Sequence, residues 1–403
     1  MNPLHLSGWG VKVRVQNLQS RSELEIMDGR EDDKDPSWIR FKPRRFPYSS
    51  VVIDGHSGYI SLQAMHWLSR NKVPVFVMNY DGSVISSILP PAPIKADLRA
   101  AQFQAANYPQ KKFTIAHALV KAKIARSLQV LDWLGQRYDI EREVRVTKRE
   151  AANLGNASSV PQLRTVEGRV ALRYWEAFRK VLPEWLDFQG RMTNSHQKNA
   201  SDPFNAALNY GYGFLEAECR MAINSVGLEP AVGFLHDFSN YQTKESLAYD
   251  LQEPFRWLVD ITVVQAFESG RIDLHDFYFT GDDYRYRFEV KAKQRFIEVL
   301  RERFNSGTKC KERMLRWGTI IEEKTKDIGR YLLGKGALPC FAEPQLRLER
   351  TDNRELRARI LALTQSEAEQ LGIRRSTLHY LRVHARHNGS FSVRRKVREK
   401  LTN

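Results

Sequence analysis

The chain has 403 residues, which is too long for one ordinary domain and predicts two or three. Hydrophobic residues make up 42% and aromatic residues 11%, which is enough to build cores and argues against a disordered protein. The net charge of +16 exceeds what solubility requires and favours a polyanionic partner, above all nucleic acid. An anionic membrane is a weaker alternative, because the basic residues are not gathered on one amphipathic helix. A basic protein without such a partner is the other alternative.

Cysteine use and the first residues indicate the compartment. Cys219, Cys310 and Cys340 are far apart and form no CxxC pair, so neither a zinc ribbon nor a disulfide framework is predicted. The start, MNPLHLSGWGVKVRV, lacks a basic segment followed by an apolar run, as a signal peptide would have. No apolar stretch reaches membrane-spanning length. We therefore expect a cytoplasmic protein with no membrane partner.

Residues 1–90 predict a β-rich domain. Apolar and polar residues alternate over residues 11–15 and 24–26, with the period of a half-buried strand. Short apolar runs predict buried strands at residues 50–53 and 75–78, and a further strand at 84–85 follows a turn at Asp81-Gly82. Residues 62–68 have the spacing of a short helix.

The apolar spacing becomes helical after Pro90, Pro91 and Pro93. It predicts helices over residues 98–107, 115–134, 160–182, 204–226, 246–267, 288–304 and 310–333. Residues 334–353 contain glycine and proline with little periodicity, which predicts a linker. Residues 354–403 predict a small helical module.

Glu167 is the first candidate for chemistry, and it lies in a predicted helix. The alternative is a surface glutamate paired with Arg164 three residues earlier, a contact that stabilises a helix by about 0.2–0.5 kcal/mol. Gly168 follows, and glycine inside a helix costs about 1 kcal/mol relative to alanine. Such a cost suggests that another group approaches the backbone closely there.

His236, Asp250 and Glu253 are the other candidates. His236 follows the apolar residues 232–235, which predicts a ring at the rim of a core; a surface or hydrogen-bonded histidine is the alternative. Asp250 and Glu253 fit a capping box before Pro254, since proline is tolerated in a first helical turn. Three residues apart on a helix, the two carboxylates can also face the same side. The cap and ligand roles are not exclusive.

The order and spacing of several motifs resemble the CRISPR-associated protein 1 family of DNA integrases. The motifs are VEG (166–168), NAALNYGYGFLEAE (205–218), GLEPAVGFLH (227–236) and SLAYDLQEPFR (246–256), with DGHSGYISLQAMHWL (54–68) and LRAAQ (98–102) upstream. The resemblance covers roughly residues 8–330, and its second half is highly specific. Pro254 departs from many relatives, which puts the local backbone there in doubt.

The resemblance implies a fold and a metal site. The implied fold has an N-terminal β-sandwich that dimerises (residues 1–90) and a mainly α-helical catalytic domain (95–333). Residues 330–403 exceed what this family core needs, and residues 345–403 are predicted as a small helix-turn-helix DNA-binding domain, so the whole chain is expected to be multidomain α+β. Family members bind Mn²⁺ or Mg²⁺, and the matching ligands here are Glu167, His236 and Glu253, with Asp250 as a supporting acid. Carboxylate oxygens suit a hard divalent cation, and one imidazole shifts the preference towards Mn²⁺.

The segment LTQSEAEQLGIRRSTLHYLRVHAR (363–386) has the pattern of a helix-turn-helix. Ala368, Leu371 and Ile373 are placed to pack its core, and Gly372 is placed to make the turn. The residues predicted to contact DNA are Arg374, Arg375, Ser376, Thr377, His379 and Arg382, with a basic tail at residues 394–400 and Arg256 near the metal site. The alternative is a helical packing module with a solvated basic face.

The C-terminal extension resembles casposases, the integrases of casposon mobile elements. That likeness implies joining of donor 3′-hydroxyl ends with terminal inverted repeats to target DNA, leaving target-site duplications, by a homodimer or a tetramer of dimers on double-stranded DNA. Transesterification needs no ATP, and the chain has no GxxxxGK[ST] motif. The alternatives are a spacer-acquisition integrase with a small ferredoxin-like partner, a DNA-binding regulator with an inactive integrase domain, and a branched-DNA nuclease.

Overall fold

The computed structural model is a mixed α+β structure, which confirms the predicted fold class. It describes residues 3–18, 21–29, 38–55, 57–79, 82–91, 93, 95–191, 193–194, 197–198, 200–236, 245–281, 285–310, 312–344, 354–373, 375–386 and 401. Among these residues, no helix is long and apolar enough to cross a membrane.

The N-terminal region is a two-sheet sandwich. Its elements are β1 (Pro3–Ser7), β2 (Val11–Leu18), β3 (Arg21–Met27), β4 (Trp38–Phe41), β5 (Ser50–Asp54), β6 (Gly58–Ile60), α1 (Leu62–Arg70), β7 (Val75–Met78) and β8 (Val84–Ile88). The sheets have the strand orders β1-β5-β7-β8 and β4-β3-β2-β6. Ile53 of one sheet, Val13 of the other and Trp67 of α1 belong to one core. The expected β-sandwich is therefore confirmed.

Helices dominate the rest of the chain. They are α2 (Ala96–Asn107), α3 (Pro109–Gly135), α4 (Glu141–Ala152), α5 (Val160–Val181), α6 (Pro203–Val226), α7 (Ser246–Gln252), α8 (Arg256–Glu268), α9 (Val290–Asn305), α10 (Trp317–Leu332), α11 (Arg354–Ala362), α12 (Gln365–Gln370) and α13 (Arg375–Arg386). Short antiparallel hairpins join some of them: β9 (Thr193–Asn194) with β10 (Gln197–Lys198), β11 (Phe277–Thr280) with β12 (Arg285–Phe288), and β13 (Gly307–Cys310) with β14 (Arg313–Arg316).

Two predicted helices differ from the structure. The helix predicted over residues 246–267 is interrupted by a 3₁₀ turn at Glu253–Phe255. Pro254 lies in that turn and has no N–H to donate, so it cannot continue the α-helical hydrogen bonds. The helix predicted from residue 310 begins only at Trp317, because Gly307–Cys310 pairs with Arg313–Arg316 as the β13–β14 hairpin.

The chain divides into two compact units. The first comprises Met1–Leu119, Asn209–Arg256 and Leu300–Phe341, and the second comprises Val120–Leu208, Trp257–Val299 and Ala342–Asn403. The three domain boundaries expected from the sequence stay a prediction.

The C-terminal helices α11 to α13, in the second unit, have a core of their own. Its members are Ile360, Leu363, Ala368, Ile373, Leu378, Leu381, Ala385 and Leu401, with Leu371 packed against them. Gly372 has a φ of +65°, which suits the predicted turn between α12 and α13. The packing roles predicted for Ala368, Leu371 and Ile373 are confirmed, and DNA reading by this module stays a prediction.

Candidate metal site and the residues around it

The loop before His236 is held by Gln102 of α2. The Gln102 side chain is fully buried and donates from Nε2 to the carbonyls of Glu229 at 2.9 Å and Val232 at 2.8 Å. Its Oε1 accepts from the Glu229 backbone N–H at 2.8 Å. One amide side chain thus satisfies three backbone groups, which fixes the loop that leads to His236.

Asp250 of α7 organises the end of the same loop. Its carboxylate is buried and accepts from the backbone N–H groups of Phe234 (2.5 Å), Leu235 (2.9 Å) and His236 (2.9 Å). Gly233 allows this close approach, since a Cβ there would lie 2.9 Å from Asp250 Oδ2. The capping-box interpretation is wrong, because Asp250 lies inside α7 and both of its oxygens face the loop.

Asp250 also fixes the His236 ring. Nδ1 of His236 lies 2.8 Å from Asp250 Oδ1, and a carboxylate can only accept, so Nδ1 is the donor. In the neutral ring Nε2 then carries the lone pair, which is the tautomer that a metal-binding histidine needs. The side chain is 44% exposed, so the ring is at the surface of the first unit.

Glu253 and Arg256 lie one turn further on. The Glu253 side chain is only 7% exposed, and its Oε1 lies 3.6 Å from Nη1 of Arg256. The Arg256 guanidinium stacks 3.9 Å from the ring centroid of Tyr212, so it has a defined position. Arg256 is thus a positioned cation beside a candidate ligand.

The LEAE part of the α6 motif forms a second charged group in the first unit. Arg220 donates to Glu216 from Nη2 at 2.7 Å and to Glu245 from Nη1 at 2.9 Å. Burial raises the pKa of both carboxyls, and Arg220 acts in the opposite direction. Arg220 is a structural partner that the sequence did not single out.

The NYGY part of the motif ties α6 to the N-terminal sheets. The Tyr210 hydroxyl lies 2.9 Å from Asp54 Oδ2 and 2.8 Å from His5 Nε2. Gly213 passes the Gly82 carbonyl so closely that a Cβ would lie 1.7 Å from its oxygen. These motif residues therefore have structural roles.

Glu218 is a buried acid on the same helix, near that contact. It lines a small cavity with His5, Tyr210 and Met221, and burial raises its pKa to about 8. Burial therefore favours the uncharged form of this carboxyl.

Glu167 belongs to the second unit, on α5. Its side chain is 22% exposed and forms an ion pair with the ammonium of Lys123, from α3. It is therefore more than a solvated surface glutamate. The close approach expected at Gly168 is wrong within the described chain, because a Cβ there would meet no atom within 4 Å.

The structure describes most, but not all, of the C-terminal residues that are predicted to contact DNA. Arg375, Ser376 and His379 are exposed on α13, and Thr377 is half-buried. Arg382 donates to the Leu363 carbonyl, which also gives it a structural role in the module. Arg374 and the basic tail at residues 394–400 lie outside the described residues.

The candidate ligands are an imidazole and two carboxylates, residue types that can bind a hard divalent cation. His236 has the tautomer of a ligand, and Glu167 already faces a stand-in cation, the Lys123 ammonium. His236 and Glu253 are in the first unit and Glu167 is in the second. No group of three or more His, Cys, Asp and Glu side chains is arranged as a metal site within the described ranges.

Comparison with known proteins decides the family. The family model of the CRISPR associated protein Cas1 matches residues 43–302. The chain belongs to the Cas1 family. It is similar to the CRISPR-associated endonuclease Cas1 of Methanopyrus kandleri, with 32% identity over 60% of this chain and 74% of that protein. It is similar to a CRISPR-associated endonuclease Cas1 of Archaeoglobus fulgidus, with 31% identity over 75% of this chain and 91% of that protein.

A solved structure extends the likeness beyond the family match. A casposase bound to integration product superimposes with a TM-score of 0.82 and 33% identity, over 90% of this chain and 99% of that chain. The Cas1 family model ends at residue 302. The likeness to the casposase therefore includes part of the chain after the Cas1 region.

Proposed function

We propose that this Cas1-family protein is a DNA integrase of the casposase type. The observation that carries the proposal is the 0.82 TM-score to a casposase bound to integration product, at 33% identity and over nine-tenths of this chain. The net charge of +16 agrees with a DNA substrate. The proposed reaction joins the 3′-hydroxyl ends of donor DNA, within terminal inverted repeats, to target DNA. Staggered joints would leave target-site duplications.

In the proposed reaction, the oxygen of the donor 3′-hydroxyl bonds to a target phosphorus. The bond from that phosphorus to the 3′-oxygen of the cut target strand breaks. The attacking hydroxyl loses a proton and the leaving oxygen gains one, so the number of phosphodiester bonds is unchanged. No nucleotide cofactor is required.

Glu167, His236 and Glu253 are the residues that we propose as ligands for Mn²⁺ or Mg²⁺. The bound cation would supply Lewis-acid activation of the scissile phosphate and stabilisation of the attacking or leaving oxygen. Asp250 is not proposed as a ligand: through four contacts it orients the His236 ring and the loop backbone. Arg256 is proposed to hold a DNA phosphate.

The C-terminal helices are proposed to bind the donor ends. The residues proposed to contact DNA are Arg374, Arg375, Ser376, Thr377, His379 and Arg382. Assembly as a homodimer, or as a tetramer of dimers, would bring donor ends and target DNA together.

A second candidate is a spacer-acquisition integrase that acts with a small ferredoxin-like partner. The relatives from M. kandleri and A. fulgidus are CRISPR-associated endonucleases, which favours it. The chemistry would be the same, and only the donor DNA and the partner would differ.

A strand-transfer assay distinguishes the candidates. Purified protein, Mn²⁺, supercoiled plasmid and short duplexes with free 3′-hydroxyls are incubated without any partner. We expect joined product, and we expect Glu167→Gln and His236→Asn to abolish it. Joining only after the ferredoxin-like partner is added would favour spacer acquisition. Tight DNA binding without joining in either condition would favour a regulator and contradict both.

A further inference from the structure

Lys123 forms an ion pair with the carboxylate proposed as a metal ligand. Its ammonium donates a hydrogen bond to Glu167 Oε1. The Lys123 side chain is 19% exposed and the Glu167 side chain is 22% exposed. Lys123 lies on α3 between the buried residues Ala122 and Ile124, and Glu167 follows the buried Val166 on α5. The anchored backbone on both sides keeps the ammonium within reach of the carboxylate.

This pair differs from the surface ion pairs of the same unit. Lys148 and Asp132, for example, are 53% and 51% exposed, and water can replace either partner at little cost. The Lys123–Glu167 pair is largely shielded from water, so each charge depends more strongly on the other. While no metal is bound, the Lys123 ammonium therefore balances the charge of the partly buried Glu167 carboxylate.

A divalent cation on Glu167 would compete with Lys123 for the same carboxylate. The ammonium would also lie within a few ångströms of the bound cation, and like charges at that distance repel. The repulsion is relieved when an anion comes between them. A DNA phosphate is the anion that the proposed reaction brings to this place.

We propose that Lys123 is an exchangeable counter-ion: it holds Glu167 before the metal binds, yields the carboxylate to the metal, and then binds a phosphate oxygen of the DNA. The inference rests on the proposed role of Glu167 as a ligand. It predicts opposite effects on two quantities. Removing the charge strengthens metal binding, because a competitor is lost, and slows strand transfer, because a phosphate contact is lost. A residue that only supports the fold would weaken both.

The test uses the full chain and two readouts. Mn²⁺ affinity is measured by isothermal titration calorimetry without DNA, and the joining rate is measured at saturating Mn²⁺. We expect Lys123→Met to bind Mn²⁺ about tenfold more tightly and to join DNA at least roughly tenfold more slowly. Lys123→Arg, which keeps the charge, should resemble the wild type in Mn²⁺ affinity. Lys148→Met is the matched control and should change neither quantity.

The outcomes separate the two proposals. Unchanged Mn²⁺ affinity in Glu167→Gln contradicts the ligand assignment, and with it the metal site of the proposed function. Weaker Mn²⁺ binding in Glu167→Gln supports the ligand assignment. If Lys123→Met then binds Mn²⁺ no more tightly than the wild type, or joins DNA at the wild-type rate, the role of Lys123 alone is overturned. Lys123→Gln, which is closer in polarity, replaces Lys123→Met if circular dichroism shows a folding defect.

Discussion

Asp250→Asn is the substitution that probes the His236 loop most directly. Oδ2 of Asp250 accepts from the N–H groups of Phe234 and Leu235, and Oδ1 accepts from the His236 N–H and faces its ring. Asparagine must place its NH₂ group at one of these two positions. One orientation breaks both Oδ2 contacts; the other breaks the His236 N–H contact and forces the ring out of the tautomer in which Nδ1 donates. Each hydrogen bond to a charged acceptor contributes about 1.5–3 kcal/mol, and the loss is therefore about 3–6 kcal/mol before the loop relaxes.

Hydrogen exchange measures this loss locally. We expect the amides of residues 234–236 to exchange roughly 10²- to 10⁴-fold faster in Asp250→Asn, because the loop opens more easily. Mn²⁺ affinity should fall roughly ten- to hundredfold, since His236 loses its orienting partner. Asp132→Asn, on an exposed pair, is the control. A rise in the exchange rate of less than about threefold would mean that loop opening is easier by less than about 0.7 kcal/mol. That result would refute the account of this loop.

The remaining predictions concern stability and DNA binding. Burial raises the pKa of Glu218 to about 8 from an ordinary 4.5, so the folded chain keeps a proton that the unfolded chain loses, and stability falls as pH rises across this window. As the pH rises from about 5 to about 8, the melting temperature of Glu218→Gln should therefore increase relative to that of the wild type. A difference between the two melting temperatures that does not change with pH would contradict this reasoning. Gly213→Ala should lower the melting temperature, because its Cβ would lie 1.7 Å from the Gly82 carbonyl oxygen. Gly168→Ala should stabilise by about 0.5–1 kcal/mol, because helical glycine is costly and space is open there. Arg375→Ala should weaken binding to duplex DNA and lower the slope of log K against log salt by about one, as fluorescence anisotropy would show.

Much of the fold could be predicted because the local patterns are strong. The alternation around Val13 and the apolar run at residues 50–53 specify strands of the two sheets, and both are observed. The β13–β14 hairpin could not be predicted, because its pairing of Gly307 with Arg316 is not accompanied by apolar alternation. Pro254 did signal an irregular backbone, and the 3₁₀ turn lies there.

The candidate site could be predicted in its residues but not in its partners. Motif order singled out His236 and Asp250, which the structure brings to 2.8 Å. Lys123 could not be found, because it is 44 residues from Glu167 and lies on a different helix. Gln102 belongs to the LRAAQ motif, but its role depends on backbone carbonyls more than 120 residues away, which carry no side-chain pattern.

The most direct test of the proposed function compares two donor duplexes that differ by one oxygen. One ends in an ordinary 3′-hydroxyl and the other in a 2′,3′-dideoxy nucleotide. Each is incubated with the protein, Mn²⁺ and supercoiled plasmid, with no partner protein. Transesterification predicts covalent joining of the first donor through its 3′-oxygen and none of the second. Equal joining of both donors, or plasmid cleavage without joining of either, would contradict the integrase assignment.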